Sequence, residues 1–191
     1  MRKSVAIYGG SFDPPHVSHV LAAVYALKVG GFDQVLVVPV FEHALHKQLT
    51  PFPDRLRLCE LAFAGIEGVL VSPVERELAT PSLTLRTLEH LAALHPDWAL
   101  RLLVGSDVLS ETGKWHAFDR VSALAPPYVL ARPGYAHPDP QALPLPDVSS
   151  TRIREALLQR ALPSAAALLA NHLPHTVLDY IEQHGLYGAS R

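Results

Sequence analysis

Apolar positions along this chain follow two patterns in turn, and the switching between them sets the expected fold. Short continuous runs rich in Val and Leu read as strands buried on both faces: Ser4–Tyr8, Gln34–Val40, Val69–Val74, Leu100–Val104 and Tyr128–Ala131, with a weaker sixth run at Ala142–Leu145. Between them, Val17–Val29, Asp54–Ala64, Leu83–Leu94 and Asp119–Leu124 carry apolar residues at helical spacing and predict crossover helices. The expectation is an α/β protein, a doubly wound parallel sheet with helices on both faces. The proline-dense stretch from Arg132 to Asp147 reads as a loop, after which helical spacing returns at Ser149–Gln159 and Thr176–His184. Pro174 falls where the last of these could begin. The Ala-rich patches Leu21–Ala26 and Ala161–Ala170 read as ordinary helix formers. There is no internal repeat, and residues 1–191 are expected to form one domain with C-terminal helices.

Composition narrows the partners. A chain of 191 residues with 49% hydrophobic content can bury a substantial core without disulfides or structural metals. Net charge is −2 with Lys and Arg scattered, which gives no electrostatic footprint for nucleic acid. The single cysteine, Cys59, cannot form an internal disulfide, and its apolar helix face predicts a buried thiol. Residues Met1 to Ser11 do not read as an export signal, and no apolar run approaches the roughly 20 residues needed to span a bilayer. These features fit a cytoplasmic protein with small-molecule partners and no membrane role; a homo-oligomer is left open.

The segment Gly9-Gly10-Ser11-Phe12-Asp13-Pro14-Pro15-His16-Val17-Ser18-His19 lies between a predicted strand and a predicted helix. In open α/β sheets the ligand crevice lies beyond the carboxyl ends of the strands, and Gly9 and Gly10 are expected to supply a turn that lets backbone approach a phosphate. The helix starting near His16 would aim its free N–H groups and positive dipole end at a bound anion. His16 and His19, three residues apart, fall on one helix face and could share one triphosphate. The bland alternative is a chance pair on a solvated face. A metal site would need further ligands, and Asp13 alone lies nearby in sequence.

This segment resembles the nucleotidyltransferase superfamily that carries a His-x-Gly-His motif, in the form found in nicotinate-mononucleotide adenylyltransferases. The resemblance implies a Rossmann-like fold, catalytic roles for His16 and His19, and ATP contacts at Gly9, Gly10, Ser11, Phe12 and Ser18. Ser18 stands where the family has glycine, so a side chain is expected where the nucleotide comes close.

A second segment, Val148-Ser149-Ser150-Thr151-Arg152-Ile153-Arg154, runs directly into an apolar helical pattern. Hydroxyl residues at a helix start can cap its free N–H groups or turn outward to phosphate oxygens, and the planar fork of Arg154 suits bidentate phosphate contact. Alone, this would read as a plain N-cap with a solvated arginine. It matches the family's Ser-Ser-Thr-x-Ile-Arg motif letter for letter, which implies ATP contacts for Ser149, Thr151 and Arg154, with Arg154 also catalytic. Arg152 occupies the motif's variable position and receives no role.

The middle of the chain adds smaller signals. Gly105-Ser106-Asp107 follows the fourth strand, where Asp107 could accept ribose hydroxyls or cap a helix; Gly105 and Asp107 are the ATP-side candidates here. Glu111-Thr112-Gly113-Lys114-Trp115 has the ending of a Walker loop without its first glycine or its final Ser/Thr, and is rejected. Trp115 could stack on a heterocycle or pack in the core. The resemblance favours the first, since the family places a tryptophan about ten residues after its Gly-x-Asp element and uses it against the nicotinate ring. It implies substrate contacts for Trp115, the adjoining His116, Lys47 and Thr84. His46-Lys47 resembles the family's Pro-His-Lys loop with Leu45 replacing proline, and Ser82-Leu83-Thr84 resembles its Ser-Tyr-Thr with Leu83 replacing tyrosine. Arg132-Pro133-Gly134 and the closing run Tyr180 to Tyr187 also fit, so the resemblance spans almost the whole chain.

The implied reaction is in-line attack of a mononucleotide phosphate on the α-phosphorus of ATP. A phosphate monoester has a second pKa of about 6 and is largely dianionic at neutral pH, so no general base is needed. The implied partners are ATP and nicotinate mononucleotide, with Mg²⁺ carried mainly by the triphosphate. Nicotinamide mononucleotide, phosphopantetheine as acceptor, and a noncatalytic nucleotide-binding module are the competing readings.

Overall fold

The computed structural model describes residues 2–44, 47–110, 113, 115–139, 142 and 144–189. Elements follow in the order β1 (Lys3–Gly10), α1 (Val17–Lys28), β2 (Gln34–Pro39), α2 (Phe52–Ala62), β3 (Val69–Val71), α3 (Thr84–Leu94), β4 (Trp98–Gly105), α4 (Ser106–Leu109), α5 (Phe118–Leu124) and β5 (Pro127–Leu130). Three C-terminal helices close the chain: α6 (Ser150–Leu158), α7 (Pro163–His172) and α8 (His175–His184). The five strands form one sheet in the order β3-β2-β1-β4-β5, and all their pairings are parallel.

Strand sequences explain the two-sided burial. In β2 every residue is buried, as a central parallel strand requires. Alternate residues serve opposite faces: Ala6, Val35, Val37 and Leu103 pack under α1, α2 and the C-terminal helices. Val5, Ile7, Leu36, Val38, Leu102 and Val104 pack against α3 and α5. The predicted α/β sandwich is therefore the one observed.

Differences from the expected elements have local causes. Gly9 and Gly10 lie inside β1, paired with Val38 and Pro39, and do not form the turn. The chain reverses after them, where Phe12 takes a left-handed φ of 46°. Such a conformation costs about 1–3 kcal/mol for a side-chain-bearing residue; here a ring 1% exposed anchors it, edge-on to Tyr8, His19 and Phe63. Strand β3 stops at Val71, and Val74 begins a 3-10 turn, Val74–Glu77. Of the expected sixth strand, Leu143 lies outside the described residues, while Ala142, Pro144 and Leu145 lie in irregular chain, with Leu145 N–H bonded to Ala131 O at 3.1 Å. The Ala-rich patch after Ala161 becomes α7, started by Pro163 and buried through Ala165 and Leu169.

Candidate active site

In this strand order the connections leave β1 and β4 toward opposite sides, opening a crevice at their adjacent carboxyl ends. The first motif leaves β1 there, and β4 delivers Gly105, Ser106 and Asp107 beside it.

His16 is the N-cap of α1 and is 2% exposed. Its backbone N–H donates to His19 Nδ1 at 3.1 Å, and the two imidazoles lie 3.8 Å apart between centroids. That bond fixes the tautomer of His19: Nδ1 accepts, so Nε2 carries the proton of the neutral ring. His16 Nδ1 is buried without a hydrogen-bond partner among the described residues. Burial, then the charge of Arg132, then His172 push the His16 pKa down to about 3. His19 is also held well below its ordinary value, by burial first and then by His16 and Arg132. Both rings are neutral at pH 7 in the ligand-free protein, so the field at this helix start comes from backbone dipoles and arginines.

The second motif meets the first directly. Ser149 is the N-cap of α6, and its Oγ accepts from Arg152 N–H at 3.3 Å. Ser150 Oγ donates to Pro14 O at 2.9 Å. Arg154 Nη1 donates to Asp13 O at 2.6 Å and its Nη2 to Thr151 Oγ1 at 3.3 Å. Val148 and Ile153, 1% and 0% exposed, seat this helix start in the core. The two helix starts thus converge on one turn. Ser18 is 2% exposed and donates to Pro146 O at 2.7 Å. Its hydroxyl is committed to the loop ahead of α6, a use the sequence does not show.

The glycines keep the crevice open. A Cβ on Gly9 would meet nothing within 4 Å, whereas one on Gly10 would press the Phe12 ring at 3.1 Å. A Cβ on Gly105 would lie 2.3 Å from Asp107 Oδ1 and 3.0 Å from Arg132 Cγ, so a side chain there would have to displace the Asp107 carboxylate. Asp107 stands 3.9 Å from Arg132 Nε. No side-chain cap bond forms at α4. With Arg154, Arg132 is thereby the second arginine of this crevice, and nothing in its spacing along the chain marks it.

The remaining predicted residues emerge from the same edge of the sheet. Lys47 lies in an exposed loop after β2, while the adjoining Leu45 and His46 are outside the described residues. Thr84 opens α3. A short parallel bridge pairs His43 with Ser82, and buried Glu75 accepts from Phe41 N–H and Thr87 Oγ1 at 3.1 and 3.0 Å. These bonds tie the loop after β2 to the α3 start. Trp115 packs edge-on to Phe118 at 5.9 Å and His116 is exposed. Of the rejected Walker-like segment, Glu111, Thr112 and Lys114 lie outside the described residues.

Two further groups at the site receive no role from the motifs. Asp13, 4% exposed, accepts from Tyr187 OH at 2.8 Å and Thr50 N–H at 3.3 Å. Arg55, 1% exposed, donates to the carbonyls of Ser11, Val40, Phe41 and Thr50 at 2.8–3.4 Å and so staples the first motif to the loops after β2. One signal was present: Arg55 stands on the stripe of Leu58, Cys59 and Ala62, a charge on a core-facing helix side.

A parallel sheet whose switch point is lined by two helix starts, two imidazoles and two arginines defines an α/β protein of the nucleotide-binding class. Residues 7–156 match the cytidylyltransferase-like family. A protein of Anaeromyxobacter sp. (strain K) named "Probable nicotinate-nucleotide adenylyltransferase" is 46% identical, covering 97% of each chain. One of the same name from Streptococcus pneumoniae is 34% identical over 97% of this chain and 90% of its own. The Plasmodium falciparum nicotinic acid mononucleotide adenylyltransferase complexed with NaAD superposes with a TM-score of 0.81 at 19% identity, covering 98% of both chains, which speaks to the fold. The chain belongs to the cytidylyltransferase-like family and, within it, to the nicotinate-nucleotide adenylyltransferases.

Proposed function

We propose that this protein transfers the AMP part of Mg–ATP to nicotinate mononucleotide, giving deamido-NAD and pyrophosphate. The observation that carries this reading is the convergence of the α1 and α6 starts on the Asp13–Pro14 turn, through Ser150 Oγ to Pro14 O and Arg154 Nη1 to Asp13 O. Two helix N-termini on one turn suit a polyanion with several phosphates. The names of the relatives supply the acceptor.

In this reading the triphosphate lies along the open face of Gly9 and the backbone of the adjoining Gly10, against the free N–H groups after His16 and Ser149. His19 Nε2–H and the unmatched His16 ring nitrogen meet phosphate oxygens, and the incoming negative charge favours protonation that burial alone opposes. Arg154 leaves the Asp13 carbonyl to bind phosphate in fork geometry. Charge developing on the phosphoryl oxygens is stabilised by donors already in place, so positioning and electrostatics supply the catalysis. No group of three His, Cys, Asp or Glu able to hold a metal occurs among the described residues. Mg²⁺ bound through triphosphate oxygens and water suits such a site, so the ion enters as part of the substrate. Gly105 and Asp107 face the nucleoside, while Lys47, Thr84, Trp115 and His116 receive the acceptor, Trp115 stacking on its ring.

The test is pyrophosphate release from Mg–ATP with nicotinate mononucleotide, nicotinamide mononucleotide or phosphopantetheine as acceptor. Release fastest with nicotinate mononucleotide is expected. No release with any acceptor overturns the enzyme reading, and a preference for either of the others overturns the acceptor.

A further inference from the structure

The C-terminal segment enters the site from behind. After α8 the chain reverses at Gly185, and a 3-10 turn, Leu186–Gly188, places Tyr187 at a left-handed φ of 57°. A Cβ on Gly188 would approach Leu158 Cδ2 to 2.8 Å, so this turn lies directly on the last residue of α6. From there the Tyr187 hydroxyl donates to Asp13 Oδ1 at 2.8 Å across 174 positions of sequence. The other Asp13 oxygen holds Thr50 N–H and the Asp13 carbonyl holds Arg154. Three remote segments therefore meet on the residue that sets the path into His16.

We propose that Tyr187 is a positioning residue of the triphosphate site: its hydrogen bond to Asp13 fixes the turn carrying His16 and His19, so the C-terminal segment sets ATP affinity without touching ATP. This rests on the adenylyl-transfer reading. Burial and the Asp13 charge push the phenol pKa upward, so Tyr187 stays a donor throughout the neutral range. A carboxylate 4% exposed that loses a donor must find another, and the cation already on this residue is Arg154, a phosphate ligand in the proposed reaction. Losing the phenol thus displaces both the turn and Arg154.

The decisive variant is Tyr187→Phe, which removes one oxygen and keeps the ring. KM for ATP is expected to rise about tenfold, as for loss of a hydrogen bond to a charged group, with KM for the mononucleotide unchanged. Loss of folded protein alone would lower kcat and leave both KM values in place. In a double-mutant cycle with Asp13→Asn, the double variant should be no worse than Asp13→Asn alone. An unchanged KM for ATP in Tyr187→Phe, an equal rise in both KM values, or a fall in kcat alone each overturns the proposal while wild-type turnover keeps the functional reading standing. A wild-type protein without adenylyl transfer overturns both.

Discussion

The phosphate side and the acceptor side of this crevice are built differently. Around the first motif, Phe12, Asp13 and His16 are 1%, 4% and 2% exposed, and hydrogen bonds from α2, α6 and the C-terminal turn converge on Ser11 and Asp13. On the acceptor side the scaffold is tied by Glu75 and Ser82, but the side chains offered to a ligand, Lys47 and His116, are exposed. The ordering cost of the phosphate side is met during folding, whereas acceptor-side chains lose their freedom on binding. Removing a side chain that itself meets phosphate on the first side should therefore act on turnover and be large, whereas changes on the second should act on KM and be small.

His19→Ala gives the largest effect: kcat for pyrophosphate release falls by about 100- to 1000-fold, as for removal of one preorganised donor, while the circular dichroism spectrum is retained. Activity close to wild type would break the contrast. Arg154→Lys follows, with kcat/KM for ATP lower by about 10- to 100-fold, because an ammonium cannot reproduce the fork.

Stability against pH sharpens the point without substrate. The folded pKa of His16 is about 3 against an ordinary 6.5, so the unfolded chain binds more protons in that window. Stability is complete above 6.5 and is lost as pH falls toward 3, at up to about 1.4 kcal/mol per pH unit for each buried imidazole. Thermal melts of the ligand-free protein from neutral to acid pH should show this fall, flattened in His16→Gln. An equal slope in that variant would exclude His16 as its source.

On the acceptor side, Trp115→Ala should raise KM for the mononucleotide by about tenfold or less, the value of one ring contact, and leave KM for ATP unchanged. Ser18→Gly is the smallest. It removes the bond to Pro146 O, lowering stability by about 1 kcal/mol in denaturant titration, with KM for ATP unchanged. A lower KM for ATP would show that the serine obstructs the nucleotide, as the sequence suggests.

Much of the fold was legible because its signals are local. The buried strands of a parallel sheet are continuous Val and Leu runs, and α1, α2, α3 and α8 were each placed to within two residues. The Ala142–Leu145 run has strand composition, but among its described residues one bond from Leu145 to Ala131 is all the pairing with β5's end. Gly9-Gly10 misled because a glycine pair reads as a turn, while the positive φ falls on Phe12, where a buried aromatic cluster outweighs local preference.

The sequence by itself determined the alternation of elements, the crevice at the carboxyl ends and the two segments that carry phosphate chemistry, since each depends on residues within a turn or two of one another. Tertiary structure alone decided the neutrality of the two imidazoles, the commitment of the Ser18 hydroxyl, and the joining of Asp13 to Tyr187, Thr50 and Arg154. Those depend on desolvation and on hydrogen bonds between segments 37 to 174 positions apart, and neither is written in the spacing of neighbouring residues.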